Sequence, residues 1–347
     1  MSEELITKIY QITKKFSDPL LNQPLDKDNV NLNLICKNKH ANLSITINPN
    51  NQNKHQELSN ELKKALKEIE ELLSVNIIFT AEKTLSKPSD DKRKFKSPAK
   101  NIIAIASGKG GVGKSTFAVN FAVALEQLGH KVGILDADIY GPSIPRMMGL
   151  SGRPEANANH KLVPLENYNI QCMSIGFLIG VDTPTIWRGP MVMKALEQMF
   201  NGVEWGDLDY LIIDLPPGTG DAQLTLAQSS KLNGSIIIST PQDVALIDAR
   251  KGINMFNKVN VPVLGIVENM SYFICSNCNE RHEIFANGGA KKEAETSNNI
   301  FLGELPLDTL LRVHSDNGQP ICALEPENYL SKIYIKIAEK IHLQVNN

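Results

Sequence analysis

Residues 106–116, Ala-Ser-Gly-Lys-Gly-Gly-Val-Gly-Lys-Ser-Thr, constrain this chain more than any other stretch. An apolar run from Ile102 to Ala106 leads in, and Phe117, Phe121, Ala122, Leu125 and Leu128 recur at helical spacing on the far side. Periodicity alone therefore gives the order strand, glycine turn, helix. Gly110, Gly111 and Gly113 carry no Cβ, so the backbone can approach a ligand closely and turn successive N–H groups inward as an anion nest. The helix that follows points its positive end at the same place. The turn is built to hold phosphate.

Two templates fit it. Gly108-x-x-x-x-Gly113-Lys114-Ser115 is a P-loop, in which the lysine reaches the β- and γ-phosphates and the hydroxyl coordinates Mg²⁺. Gly108-x-Gly110-x-x-Gly113 is also a dinucleotide fingerprint, with Asp136 about 20 residues on, where a ribose-binding acid is expected. Only the P-loop uses Lys114, Ser115 and Thr116. It also requires a second acidic strand end beside the Mg²⁺, and Tyr210-Leu-Ile-Ile-Asp214 supplies one. The sequence thus predicts a site for a nucleoside triphosphate and Mg²⁺ spanning Gly108 to Thr116, Val112 included.

From Asn101 onward apolar strands alternate with helices, the pattern of an α/β fold with a doubly wound, mostly parallel sheet. Strands are expected at 102–106, 131–135, 170–175, 211–214, 235–240, 262–267 and 300–305. Helices are expected at 190–200, 221–230, 243–258, 288–297 and 327–343. Ligands of such sheets sit at the carboxyl ends of the strands, where Gly108, Asp136, Asp214, Pro241 and Asn269 all fall. Ahead of this domain, residues 1–84 read as a small α-β-β-α-β domain: a helix over 3–16 stopped by Pro19, strands around Val30 to Leu34 and Leu43 to Ile47, a helical stripe from Leu58 to Leu73, and a strand at 75–79. Residues 85–100 carry prolines and charges with little to bury, a linker.

A chain of 347 residues with 42% hydrophobic content can form two cores. Its net charge of -2 gives no electrostatic reason to expect nucleic acid or an anionic membrane as a partner. The first residues lack the basic region and apolar core of a secretory signal, and no stretch of about 18 apolar residues occurs. A cytoplasmic protein is expected. Five cysteines in such a chain are read singly, as core, ligand or reactive thiol.

Asp136 and Asp138 are two residues apart; one can order the Mg²⁺ shell while the other positions the attacking water, and the sequence does not separate them. Asp214 orients Mg²⁺, and Gly218 in Pro216-Pro-Gly-Thr-Gly220 offers a bare N–H near the γ-phosphate as a hydrolysis sensor. Asn269 can pair donor and acceptor with an adenine edge. Lys109 is surplus to a P-loop that already has Lys114, which suggests a charge aimed at another nucleotide, as an arginine finger would be.

Gly108-Lys-Gly-Gly-Val-Gly-Lys-Ser-Thr116 resembles the deviant Walker A motif of the P-loop group that includes MinD, ParA and the nitrogenase iron protein. In that group the extra lysine crosses a two-fold dimer to the neighbour's phosphates. Leu135-Asp-Ala-Asp-Ile-Tyr-Gly-Pro-Ser143, Trp187-Arg-Gly-Pro190, Asp214-Leu-Pro-Pro-Gly-Thr-Gly-Asp221, Ser239-Thr-Pro-Gln-Asp243 and Glu268-Asn-Met-Ser271 resemble the Mrp/ApbC family of iron–sulphur cluster carriers. The similarity covers essentially all of residues 101–347, and residues 1–80 resemble the small domain often fused in front of such ATPases. The resemblance implies ATP as the nucleotide and a slowly hydrolysing ATPase with Lys109, Lys114 and Asp138 as catalytic residues. It also implies a homodimer, a bridging [4Fe–4S] cluster on Cys275 and Cys278, and apo iron–sulphur proteins and assembly factors as partners.

Cys275-Ser-Asn-Cys278 sits in a polar stretch read as a surface loop. Two thiolates cannot complete the four positions that zinc or an iron–sulphur cluster takes, whereas a homodimer axis through the loop supplies four. Spacing leaves a structural zinc open, on Cys275, Cys278 and His282 or on four thiolates across the dimer. A redox pair lacks its usual thioredoxin-like setting. The resemblance favours the cluster. Cys36, Cys172 and Cys322 lie in apolar contexts and are read as core. Leu330, Ile333, Tyr334, Ile337 and Ile341 form a stripe expected to pack on the sheet and not to anchor in a membrane.

Overall fold

A computed structural model describes residues 2–17, 24–25, 32–37, 40–47, 52–69, 71–81, 97–178 and 189–346. Pro19, Val30, the linker residues 85–96, Trp187 and Arg188 lie outside the described residues. The chain divides into two compact units, Met1–Lys87 and Pro88–Asn347.

In the first unit the elements run α1 (Ser2–Thr13), β1 (Leu32–Lys37), β2 (His40–Ile47), α2 (Gln52–Leu66) and β3 (Ser74–Ala81). The sheet order is β1-β2-β3. β1 and β2 pair antiparallel with Cys36 opposite Ala41, and β2 pairs parallel with β3. Ile9, Leu43, Ile45, Leu62 and Leu66 are fully buried between helices and sheet. The expected second helix ends seven residues early: Ile69 N–H bonds the Leu66 carbonyl, a tight i→i+3 turn, and Leu73 is left 70% exposed.

The second unit runs β4 (Ala99–Ser107), α3 (Lys114–Gln127), β5 (Val132–Asp136), α4 (Ile144–Met147), β6 (Leu165–Asn167), β7 (Ile170–Ser174), α5 (Gly189–Asn201), β8 (Leu208–Asp214), α6 (Asp221–Ser229), β9 (Gly234–Ser239), α7 (Asp243–Lys258), β10 (Val263–Glu268), β11 (Phe273–Ile274), β12 (Arg281–His282), α8 (Gly289–Thr296), β13 (Phe301–Glu304), α9 (Thr309–Asp316), α10 (Ile321–Leu324) and α11 (Tyr329–Asn346). The main sheet has the order β13-β10-β9-β4-β8-β5-β7-β6. Every neighbouring pair is parallel except β6 and β7. β5 and β9 are buried along their whole length, as strands covered by helices on both faces must be. β4 begins at Ala99, paired with Leu208, so the last two residues of the expected linker belong to the sheet.

α3 is apolar nearly all round because it is enclosed: Phe117 stacks on Phe121 at 5.5 Å and meets Tyr334 of α11 at 5.7 Å. The α11 stripe, Leu330, Tyr334, Ile337 and Ile341, is buried as expected. Among the described residues no helix is long and apolar enough to cross a membrane. The chain turns to opposite sides of β4 after α3 and after α6, so β4 is the switch point of the sheet, and the crevice above its carboxyl end is where ligands bind such folds.

Candidate nucleotide pocket and cysteine hairpin

The glycine turn leaves β4 at Ser107 and enters α3 at Lys114. Gly113 caps the helix with φ 80°, and a Cβ there would lie 2.2 Å from Asn269 Nδ2. At Gly108 a Cβ would lie 2.2 Å from the Asp248 carbonyl carbon of α7. Close packing at both ends of the turn therefore demands glycine.

Lys114 and Ser115 converge on one carboxylate. Lys114 Nζ lies 2.5 Å from Asp214 Oδ1, and Ser115 Oγ donates to Asp214 Oδ2 at 2.5 Å. Asp136 sits directly opposite Asp214 in the β5–β8 register and is fully buried. Its Oδ1 accepts from the Asp138 N–H at 3.1 Å, and its Oδ2 accepts from the Ile144 N–H at 3.2 Å and from Ser174 Oγ at 3.0 Å. Burial first, and then the Asp214 charge, push the Asp136 carboxyl up to about 8. Asp138 is half-buried, and burial raises its carboxyl too. The structure thus separates the positions of the two acids: Asp138 lines the cavity beside the glycine turn, whereas Asp136 does not and instead accepts the Asp138 N–H.

That cavity, about 200 Å³, is lined by Gly110, Gly111, Gly113, Lys114, Ser115 and Thr116 with Asp138 and Pro217. It meets a larger, mostly apolar cleft of about 450 Å³ at Gly113, Thr116 and Met147. Asn269, Met270, Phe273, Ile284, Leu307 and Leu311 wall the cleft. A glycine-lined pocket that carries Lys114, Ser115 and Asp138 and opens into an apolar slot matches the two halves of a nucleotide, phosphates and base. The hydroxyl of Ser115 and the carboxylate of Asp214 meet at one point as hard oxygen donors, a set that fits Mg²⁺.

Three expected residues have partners the sequence did not reveal. Lys109 is half-buried, its Nζ 3.2 Å from Gln242 Oε1 just ahead of α7, and it is not among the residues lining its own phosphate cavity. The Gly218 N–H donates to the Ser107 carbonyl at 2.9 Å, so the expected bare donor is engaged in this structure, with Gly218 itself at φ 96°. Asn269 Nδ2 donates to the Val112 carbonyl at 2.8 Å while the residue also lines the apolar cleft.

The stretch expected to be a loop is the tip of a hairpin. β11 and β12 pair antiparallel, Phe273 with His282 and Ile274 with Arg281. The Cys275 N–H bonds the Glu280 carbonyl, and the Asn279 N–H, at φ 59°, bonds the Cys275 carbonyl. Cys275 is half-buried and Cys278 exposed, both reduced. Backbone N–H groups of Asn277 and Cys278, and then the Cys278 thiol, hold the Cys275 thiol below its ordinary value, the condition for a thiolate ligand. Arg281 fastens the hairpin, lying 4.0 Å from the Tyr272 ring and 3.4 Å from Glu304. Cys172 and Cys322 are buried as expected, and burial raises both thiols.

Sequence reasoning passed over Phe273 and Ile284, which flank the cysteine turn and wall the apolar cleft, and over Leu307, Asp308, Thr309, Leu311 and Arg312. A signal was present for the second group: residues just after β13 occupy the same strand-end rim as Asp136 and Asn269. Ser174 and Glu280 carried none; Gln242 stands within the Ser239–Asp243 stretch with no partner assigned, and His282 is expected from the sequence only as a possible zinc ligand beside Cys275 and Cys278.

A family model described as an iron-transfer P-loop NTPase of the NUBPL type, within the ParA group, matches residues 98–342. A relative from Arabidopsis thaliana, named an iron–sulphur protein required for NADH dehydrogenase, mitochondrial, is 53% identical over 243 residues, covering 70% of this chain and 78% of its own. The iron–sulphur cluster carrier protein of Escherichia coli K12 is 53% identical over 247 residues, covering 71% and 67%. A solved nucleotide-binding protein from Archaeoglobus fulgidus, in complex with ADP and with cobalt found in it, is 41% identical with TM-score 0.58, covering 67% of this chain and 94% of that one. The Pyrococcus furiosus cell division ATPase MinD, at 22% identity and TM-score 0.53 over 71% of this chain and 99% of that one, shares the fold. The chain belongs to the NUBPL-type iron-transfer P-loop NTPases.

Proposed function

We propose that this chain binds and hydrolyses ATP and, as a homodimer, assembles a bridging [4Fe–4S] cluster on Cys275 and Cys278 that it passes to apo-proteins. One observation carries the reading: Phe273 and Ile284, on either side of the cysteine turn, are also walls of the cleft that opens from the P-loop cavity. The cluster is cargo. Two thiolates per chain fill half of its four iron positions, and a two-fold axis supplies the rest. The names of the relatives, at about half identity over the P-loop domain, support iron–sulphur transfer as the class of work.

In the hydrolytic half, incoming phosphates draw Lys114 away from Asp214. Ser115 and Asp214 would hold Mg²⁺, which supplies charge neutralisation at the β- and γ-phosphates. Asp138, on the cavity wall, orients the attacking water, and Asp136 fixes Asp138 through its backbone N–H. Asn269 and the apolar cleft take the base. Lys109 bonds Gln242 and does not line its own pocket, which supports a role at the facing subunit's nucleotide. A cytoplasmic site of action belongs to the same proposal, as does a division into a small first domain, a linker, and a P-loop domain that begins with β4 at Ala99.

Anaerobic reconstitution with iron and sulphide, followed by metal counting, tests it. The parent is expected to hold four irons per two chains, as one [4Fe–4S] cluster requires, and Cys275→Ala and Cys278→Ala to hold none while still binding nucleotide. Equal iron in parent and variants overturns the reading.

A further inference from the structure

The cysteine hairpin carries a second set of metal donors. Cys278 Sγ, a Glu280 carboxylate oxygen and a His282 ring nitrogen lie within 4.8 Å of one another, all three side chains exposed. Glu280 and His282 flank Arg281 and share one side of the strand, as residues two apart do, with Glu280 Oε2 3.9 Å from His282 Nε2. The left-handed turn at Asn279 folds Cys278 back toward them. The one cation between them, Arg281, is held elsewhere, over the Tyr272 ring and against Glu304. Among the described residues, Glu280 and His282 have no ion pair other than their own.

We propose that each chain by itself holds one divalent transition-metal ion of the zinc type on Cys278 Sγ, the Glu280 carboxylate and His282 Nε2, with water in the fourth position. Zinc bonds of about 2.0–2.3 Å put tetrahedral ligand atoms ~3.5 Å apart, so the three donors close on an ion by rotamer adjustment alone. One thiolate, one imidazole and one carboxylate select a borderline ion such as Zn²⁺, Co²⁺ or Fe²⁺ over Mg²⁺ or Ca²⁺. Exposure of all three means that little desolvation opposes binding. The site is complete within one protomer, whereas the bridging cluster needs two. Both use Cys278, so a chain holding the single ion cannot hold the cluster.

The test titrates Zn²⁺ alone into the reduced, metal-free full chain against a chromophoric chelator. One ion per chain is expected, with Glu280→Ala and His282→Ala each weakening the affinity tenfold or more; nucleotide binding serves as the check of folding. One ion per two chains, or a loss below tenfold in both variants, overturns the proposal. Iron and sulphide loading of the same proteins is read separately. Failure of the parent to load would sink the cluster reading and leave the zinc result standing, and loading retained in both variants shows that Glu280 and His282 serve the single ion only.

Discussion

Lys114 Nζ and Asp214 Oδ1 form an ion pair of 2.5 Å, the two side chains 6% and 0% exposed. The lysine that a P-loop offers to phosphate is therefore already neutralised by the carboxylate that stands where Mg²⁺ is expected. Nucleotide binding exchanges one opposite charge for another, so the lysine is never buried alone. Lys114→Ala leaves Asp214 and Asp136 facing each other without a cation. It is expected to abolish ATP binding and to lower stability by about 3–5 kcal/mol, the cost of breaking a buried pair from one side, read by fluorescent-nucleotide titration and urea unfolding. Unchanged nucleotide affinity would refute the assignment.

Lys109 is bonded to Gln242 and lies off its own phosphate cavity. Lys109→Ala is expected to leave ATP affinity within threefold of the parent and to cut turnover by roughly 10³, the lower end for a finger residue supplied in trans. Steady-state phosphate release checks it; normal turnover removes the cross-subunit role.

Much of this site is legible in the sequence because P-loop chemistry is local. Gly108 to Thr116 must be contiguous, and Asp214 ends an apolar strand, so composition and period expose both. Other parts depend on adjacency between distant segments. Gln242 meets Lys109 across 133 residues, and Ser174 meets Asp136 across 38; no local pattern announces either. α4 and α10, of four residues each, are too short for a helical period to register. The hairpin eluded the reading because each of its strands has only two residues, and with it went the geometry joining Cys278 to Glu280 and His282. The stripe running to Leu73 overstated α2 because an apolar residue every three or four positions does not say where the backbone stops being helical.

Phe273 walls the base cleft and opens the cysteine hairpin. Phe273→Ala is expected to weaken ATP binding about fivefold, in keeping with about 1 kcal/mol for a lost aromatic contact, and to change iron retention in the same protein. A variant altered in neither property would separate the cleft from the hairpin.

At the opposite end of the sheet, His130 stacks on His342 with ring centroids 4.5 Å apart, and the Tyr210 hydroxyl lies 2.7 Å from His342 Nδ1. Burial first, and then the His342 charge, hold His130 below its ordinary 6.5, with Asp209 opposing. The unfolded chain consequently takes up the proton more readily than the folded one. Stability that is full above pH 6.5 is lost as pH falls through the unfolded and then the folded value. Thermal melts from pH 7.5 down to pH 5 should show this loss in the parent and a flatter profile in His130→Gln. Parallel profiles would show that His130 does not take up a proton on unfolding.

Native mass spectrometry of the anaerobically loaded protein with ATP present joins the metal site and the nucleotide site in one reading. The expected particle contains two chains, one [4Fe–4S] cluster and two nucleotides, and Cys278→Ala yields chains with nucleotide and no cluster. A loaded particle of one chain, carrying the whole cluster by itself, would contradict the shared two-fold site.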